Sequence, residues 1–223
     1  MNKIAENVAD VVNEISPVKG KKMIAVLSGA QSSGKTFFSY NLCQALSLFK
    51  KKIIFFDGNC GLNNITTQLG LNYGNDLDAV IYGNRSVNQV AFTYDKGKFD
   101  IIPGNAGSSA ISTMSIGRLQ ILSDDLNILS NSYDNMILDI GTEMKNVLKV
   151  FAGMSKNIII VCNDEPQTIT ESYNLIRSIT LNYPKIKINI VINMVKSNRY
   201  FFLKQFDQNR HKPCFAKSMY LTN

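Results

Sequence analysis

Residues Gly29–Thr36 read GAQSSGKT and sit between a short apolar run, Met23–Leu27, and a stretch from Phe37 to Phe49 with helically spaced apolar residues. The order is strand, glycine-bounded loop, helix, which is the context in which G-x-x-x-x-G-K-[ST] becomes a phosphate-binding loop. Each residue type has a physical reason to be there. Gly29 lets the chain turn sharply off the strand, and Gly34 lets the backbone approach a phosphate that a Cβ would push away. The N–H groups of Ala30, Gln31, Ser32, Ser33, Gly34, Lys35 and Thr36 then form an anion nest at a helix N-terminus, with Phe37 opening the helix proper. Lys35 supplies a cation for the β- and γ-phosphates, and Thr36 a hard oxygen for magnesium.

The remaining pattern alternates strands and helices. Lys52–Asp57 (KIIFFD), Phe99–Ile102, Asn135–Asp139 (NMILD), Asn157–Cys162 and Lys187–Ile192 read as strands, several of them continuous apolar runs of the kind buried in parallel sheets. Helices are expected around Ile65–Leu69, Asp76–Tyr82, Ile116–Leu129, Gly141–Val150 and from Pro166 to about Leu181, the proline fitting a first helical turn. This alternation predicts an α/β fold: a doubly wound, mainly parallel sheet with helices on both faces. Three parts are predicted: an amphipathic helix and linker over residues 1–20, a nucleotide-binding domain over 21–195, and a short basic helix or tail over 196–223. In such a sheet the ligand lies at the carboxyl ends of the strands. Asp57, Asp139 and Asn193 all fall at those ends. An aspartate closing an apolar strand, as in ILDIG, fits the magnesium-side acid, reached through water. Asp57 has the same placement, so Lys35, Asp57 and Asp139 are the candidate catalytic set. By spacing alone Asn193 reads as a turn asparagine.

Composition excludes other classes. Hydrophobic residues make up 45% of the 223 and charged residues 18%, values of a globular chain. No apolar run reaches transmembrane length, and the opening MNKIAENVADVVNEIS lacks a signal-peptide core, so an intracellular, cytoplasmic protein is expected. Cys43, Cys60, Cys162 and Cys214 are scattered without a C-x-x-C pair, which predicts reduced thiols rather than a metal site or disulfide framework. His211 is the only histidine, which leaves little for imidazole chemistry. Of the net charge of +7, residues 196–223 contribute six cations against Asp207 alone, leaving +2 for the rest.

The motifs together resemble the MinD/ParA group of P-loop ATPases, and most of all its FlhG (YlxH-like) branch of flagellar-number regulators. The resemblance runs from about Lys22 to Lys196 through SGAQSSGKT, FFDGNCGLNN, IIPGNAG, YDNMILDIG, CNDEPQTITESYNLI and INMVKS. It implies an ATP- or ADP-binding, magnesium-dependent switch that positions or counts a cellular structure, a flagellum or a division site. It also implies a face-to-face homodimer, a regulatory protein partner, and Asn193 as the asparagine that contacts adenine. Two departures matter. The group's loop carries a lysine where this chain has Ala30, and its second strand ends D-x-D where this chain has Asp57-Gly58-Asn59. An amide cannot take up a proton or hold the attacking water by charge, so weak hydrolysis is expected. The group also ends in a membrane-targeting helix, whereas this sequence closes on NRYFFLKQF and RHKPCFAKSMYLTN; at most weak, ATP-independent membrane contact is expected. Phe202 and Phe206 fit a peripheral helix packed on the sheet. A ParA-like, DNA-associated ATPase is the alternative reading, motivated by the basic tail, although nucleic acid is not the expected partner. A phosphotransferase or ligase would need substrate-binding residues that the sequence does not show.

Overall fold

The computed structural model describes residues 23–195, apart from 60–63, 72–75, 84, 106, 109, 142–144 and 156, together with the strand 217–220. The amphipathic helix expected over residues 1–20, and most of the basic tail with its expected peripheral helix, therefore lie outside the described residues. The strands are β1 (Met23–Leu27), β2 (Ile53–Gly58), β3 (Phe92–Tyr94), β4 (Phe99–Ile102), β5 (Asn135–Ile140), β6 (Asn157–Cys162), β7 (Lys187–Ile192) and β8 (Lys217–Tyr220). The helices are α1 (Lys35–Leu48), α2 (Ile65–Gln68), α3 (Leu77–Ile81), α4 (Val87–Val90), α5 (Ala110–Thr113), α6 (Ile116–Ser130), α7 (Lys145–Met154) and α8 (Pro166–Asn182).

All eight strands form one sheet in the order β3-β4-β2-β5-β1-β6-β7-β8. Every neighbouring pair is parallel except β3 and β4, which form an antiparallel hairpin at the edge. Strands β1, β2, β5 and β6 are buried along their whole length. That explains their unbroken apolar runs, since helices cover both faces and no position alternates toward water. One face carries Phe38, Leu42, Cys43 and Leu46 of α1 and Ile65 of α2 against Ile24, Val26, Phe55 and Ile137. The other packs Leu119, Leu122 and Leu126 of α6, Phe151 of α7 and Ile179 of α8 against Ala25, Phe56, Leu138 and Ile160. Helices α1, α6 and α8 repeat their buried residues at three and four, the period that places one stripe on the sheet.

The doubly wound sheet agrees with the sequence reading. Strand β3 was not anticipated, because three half-exposed residues carry no periodic signal. Nor was β8: four residues of the stretch expected as a short basic helix or tail, Lys217–Tyr220, pair in parallel with Asn189–Ile192. No helix among the described residues is long and apolar enough to cross a membrane.

Candidate functional site

The chain winds outward from β1 in both directions, so β1 lies between β5 and β6 and the loop after it opens on the crevice at the strands' carboxyl ends. Gly29 begins that loop against α8: a Cβ there would lie 2.4 Å from the backbone of Glu171 and Ser172, so only glycine fits. The Ser28 hydroxyl donates to the Ala30 carbonyl at 2.7 Å and accepts from the Ala30 N–H at 3.2 Å. Gln31 and Ser32 are exposed at the crest, Ser32 with a φ of 59°. Ser33 is buried, and Gly34 caps α1 with φ 78°, ψ 16°, a left-handed conformation open to glycine. Phe37 points its ring to solvent, leaving its backbone N–H as the group the site can use.

Below the loop, three side chains from the first turns of α1 converge on Asp139, at the carboxyl end of β5. Lys35 forms an ion pair with Asp139 Oδ1. Thr36 Oγ1 donates to Asp139 Oδ2 at 2.7 Å, and Ser39 Oγ lies 3.3 Å from Oδ1. Asp139 is fully buried and Lys35 nearly so. The pair is therefore desolvated, and removing either partner would leave an uncompensated buried charge. Ser39 was not among the predicted residues; its position one helical turn after Lys35 is the signal that places it there. Asn59 reaches the same cluster, its Nδ2 donating to Thr36 Oγ1 at 3.1 Å.

Asp57 stands beside Asp139 in register on β2 and β5. It is fully buried; Oδ2 accepts from the Thr66 N–H at 3.2 Å and the Thr66 hydroxyl at 2.9 Å, while Oδ1 has no partner. Burial first, then the neighbouring Asp139, pushes its pKa up to about 7. Burial likewise raises the Cys43 thiol well above its usual value. Cys43 and Cys162 are free and buried. Asn193, at the end of β7, donates from Nδ2 to the Ser33 carbonyl at 3.0 Å.

The predicted residues thus gather at one edge, with Lys35, Thr36, Asp139 and Asn59 in contact, Asp57 beside them and Asn193 on the loop. A loop that places Ser32 and Gly34 in the left-handed region at the N-terminus of α1 is of the kind that can take an anion. The Thr36 hydroxyl and Asp139 carboxylate are hard oxygens that suit magnesium. Sequence reasoning missed Asn64, Thr66 and Gly104, which hold Asp57 and the adjoining loops.

A doubly wound parallel sheet with this loop after its central strand defines a P-loop nucleotide-binding protein of the MinD/ParA type. Residues 21–192 match the AAA domain family, and the chain belongs to it, within the FlhG branch of the MinD/ParA group. The chain is 27% identical over 180 residues to the antiactivator FleN of Pseudomonas aeruginosa, which covers 79% of this chain and 62% of that protein. It is 28% identical over 204 residues to the flagellum site-determining protein YlxH of Helicobacter pylori, covering 87% of this chain and 67% of that one. The chain therefore spans about two thirds of the length of these relatives, slightly less in the case of FleN. Among solved structures it resembles the septum site-determining protein MinD complexed with Mg-ADP from Pyrococcus horikoshii OT3, with a TM-score of 0.68 at 20% identity over 81% of this chain and 73% of that one. At that identity the likeness speaks to the fold.

Proposed function

We propose that this protein is a cytoplasmic, ATP-binding switch that regulates the number or placement of flagella and hydrolyses ATP slowly. The observation that carries this reading is the convergence of Lys35, Thr36 and Ser39 on Asp139 beneath the left-handed Gly34. These residues fit a magnesium–nucleotide complex: the loop bends into a cradle where a Cβ at Gly34 would collide, and hard oxygens lie directly below it. Bound there, the nucleotide supplies a γ-phosphate whose presence or loss distinguishes two states of the switch. With nucleotide bound, Lys35 would pair with the phosphates, and the Asp139 carboxylate, freed from that pair, would serve the magnesium side of the site. Thr36 would offer its oxygen to the metal, the loop N–H groups would hold the phosphate oxygens, and Asn193 would contact adenine. Asp57, kept partly protonated by its burial, shapes the floor beside Asp139. The flagellar part of the reading is supported by the names of the relatives, an antiactivator and a flagellum site-determining protein. A homodimer and a regulatory protein partner belong to the same reading.

The test is calorimetry of Mg-ATP binding to the full chain and to Lys35→Ala. Loss of a desolvated charge partner removes about 2–5 kcal/mol, so binding should fall below detection. Equal affinity in the two proteins would overturn the reading.

A further inference from the structure

Asn193 is held from two sides. Its main-chain N–H donates to the Cys162 carbonyl at 2.7 Å, tying the end of β7 to the end of β6. Its side-chain Nδ2 reaches the loop and donates to the Ser33 carbonyl at 3.0 Å. That carbonyl shares a peptide unit with the N–H of Gly34, and the described chain contains no cis peptide. A trans peptide is planar, with its C=O and N–H pointing in opposite directions. A partner that draws the Ser33 carbonyl toward β7 therefore turns the Gly34 N–H the other way.

Gly34 is fitted to this contact. A Cβ at Gly34 would lie 2.2 Å from Asn193 Nδ2 and 3.1 Å from Met194 Cε. Glycine is needed for that approach as well as for its φ of 78°. The next residue, Met194, has a φ of 55°, a left-handed conformation that a side chain seldom adopts. Backbone strain of this kind persists where the surroundings impose it, and here it sits directly after the residue that makes the contact.

The geometry points to Asn193 as a positioning residue for the phosphate cradle: its amide orients the Ser33–Gly34 peptide while its remaining groups read the base. This rests on the Mg-ATP reading above and adds that base recognition and phosphate binding share one side chain. A primary amide has two N–H donors and one carbonyl acceptor. With one N–H on Ser33, a donor and an acceptor remain, the pair that matches the adjacent acceptor and donor on the edge of adenine. A base that engages them steadies the same amide that sets the loop.

Two substitutions separate this role from simple base contact. Asn193→Ala removes the amide, and Asn193→Leu keeps its shape without its hydrogen bonds; neither adds charge. The full chain and both variants are titrated well below their melting temperatures with Mg-ATP and with magnesium tripolyphosphate, which has no base. We expect tripolyphosphate affinity to fall by roughly three- to tenfold in both variants, the effect of one hydrogen bond, and ATP affinity to fall by more. A loss for ATP with tripolyphosphate unchanged would make Asn193 a base contact only and overturn the inference. So would unchanged affinity for both ligands. An unsubstituted chain that binds neither ligand would overturn the Mg-ATP reading itself, whereas one that binds both leaves that reading intact and puts only Asn193 in question.

Discussion

Asp57 carries a conflict that a single side chain makes measurable. Its pKa is raised from 3.8 to about 7, first by burial and then by Asp139, against the opposing hydrogen bonds from Thr66. The folded chain therefore holds a proton that the unfolded chain has already released above pH 4. Stability falls with rising pH wherever the folded state binds more protons. Between pH 4 and about 7, Asp57 should progressively destabilise the fold, by up to roughly 4 kcal/mol once it is fully ionised. Asp57→Asn cannot ionise and keeps an oxygen for Thr66. In chelator and without nucleotide, this variant should melt above the unsubstituted protein at pH 8, with the gap closing as pH falls toward 4. A gap that is constant across that range would mean that Asp57 does not titrate there. Thermal melts across the pH series settle it.

At the scale of elements, Asn64 and Gly104, from two separate stretches of sequence, form one joint. The Asn64 Oδ1 caps α2 by accepting from the Thr67 N–H at 2.9 Å and the Thr67 hydroxyl at 2.8 Å. Its Nδ2 donates to the carbonyl of buried Gly104 at 3.2 Å. Gly104 follows β4 and packs so tightly on Asp57 that a Cβ would come within 2.3 Å of the Asp57 carbonyl. Asn64 at the start of α2 and Gly104 after β4 therefore meet beside Asp57. Asn64→Ala loses a cap worth about 1 kcal/mol and leaves the Gly104 carbonyl unpaired at a further cost of about 1–3 kcal/mol. For a chain of this size that should lower the melting temperature by roughly 5–10 °C, and scanning calorimetry would show it; a shift under about 2 °C would mean that the joint is not structural. The sequence disclosed β1, β2 and β4–β7, because buried parallel strands are written as apolar runs, and it disclosed the loop, because its glycines have fixed jobs. It did not disclose the joint. Asn64, Thr66 and Gly104 belong to separate segments, and only the parallel pairing of β2 with β4 brings them together. The edge strand β3 was hidden for a different reason: Thr93 bonds Asp100 across the hairpin, a polar link with no period to read.

At the scale of the whole molecule, catalysis depends on what the crevice lacks. The sheet brings Ala30, from the loop after β1, and Asn59, from the end of β2, to the same edge as Asp139. A lysine in place of Ala30 would offer a cation to a facing copy's phosphate, and a carboxylate in place of Asn59 would hold and deprotonate water. One charge-stabilising group contributes about 10²–10³ in rate and one general base about 10²–10⁴, and groups acting on one transition state do not multiply freely. Phosphate release by this chain at saturating Mg-ATP should therefore stay close to background. Asn59 now donates to Thr36 Oγ1, whose own proton goes to Asp139. Asn59→Asp alone would put a third carboxylate beside Asp57 and Asp139 and compete for that proton, so we expect it to be damaging by itself. Ala30→Lys adds the compensating cation, and the loop backbone tolerates it because Ser28 holds Ala30 through main-chain atoms. The double substitution should raise phosphate release by at least roughly tenfold, together with a larger ATP-dependent mass in solution. Brisk release by the unsubstituted chain would show that another residue already supplies the missing charge and base, and the slow-switch reading would fall.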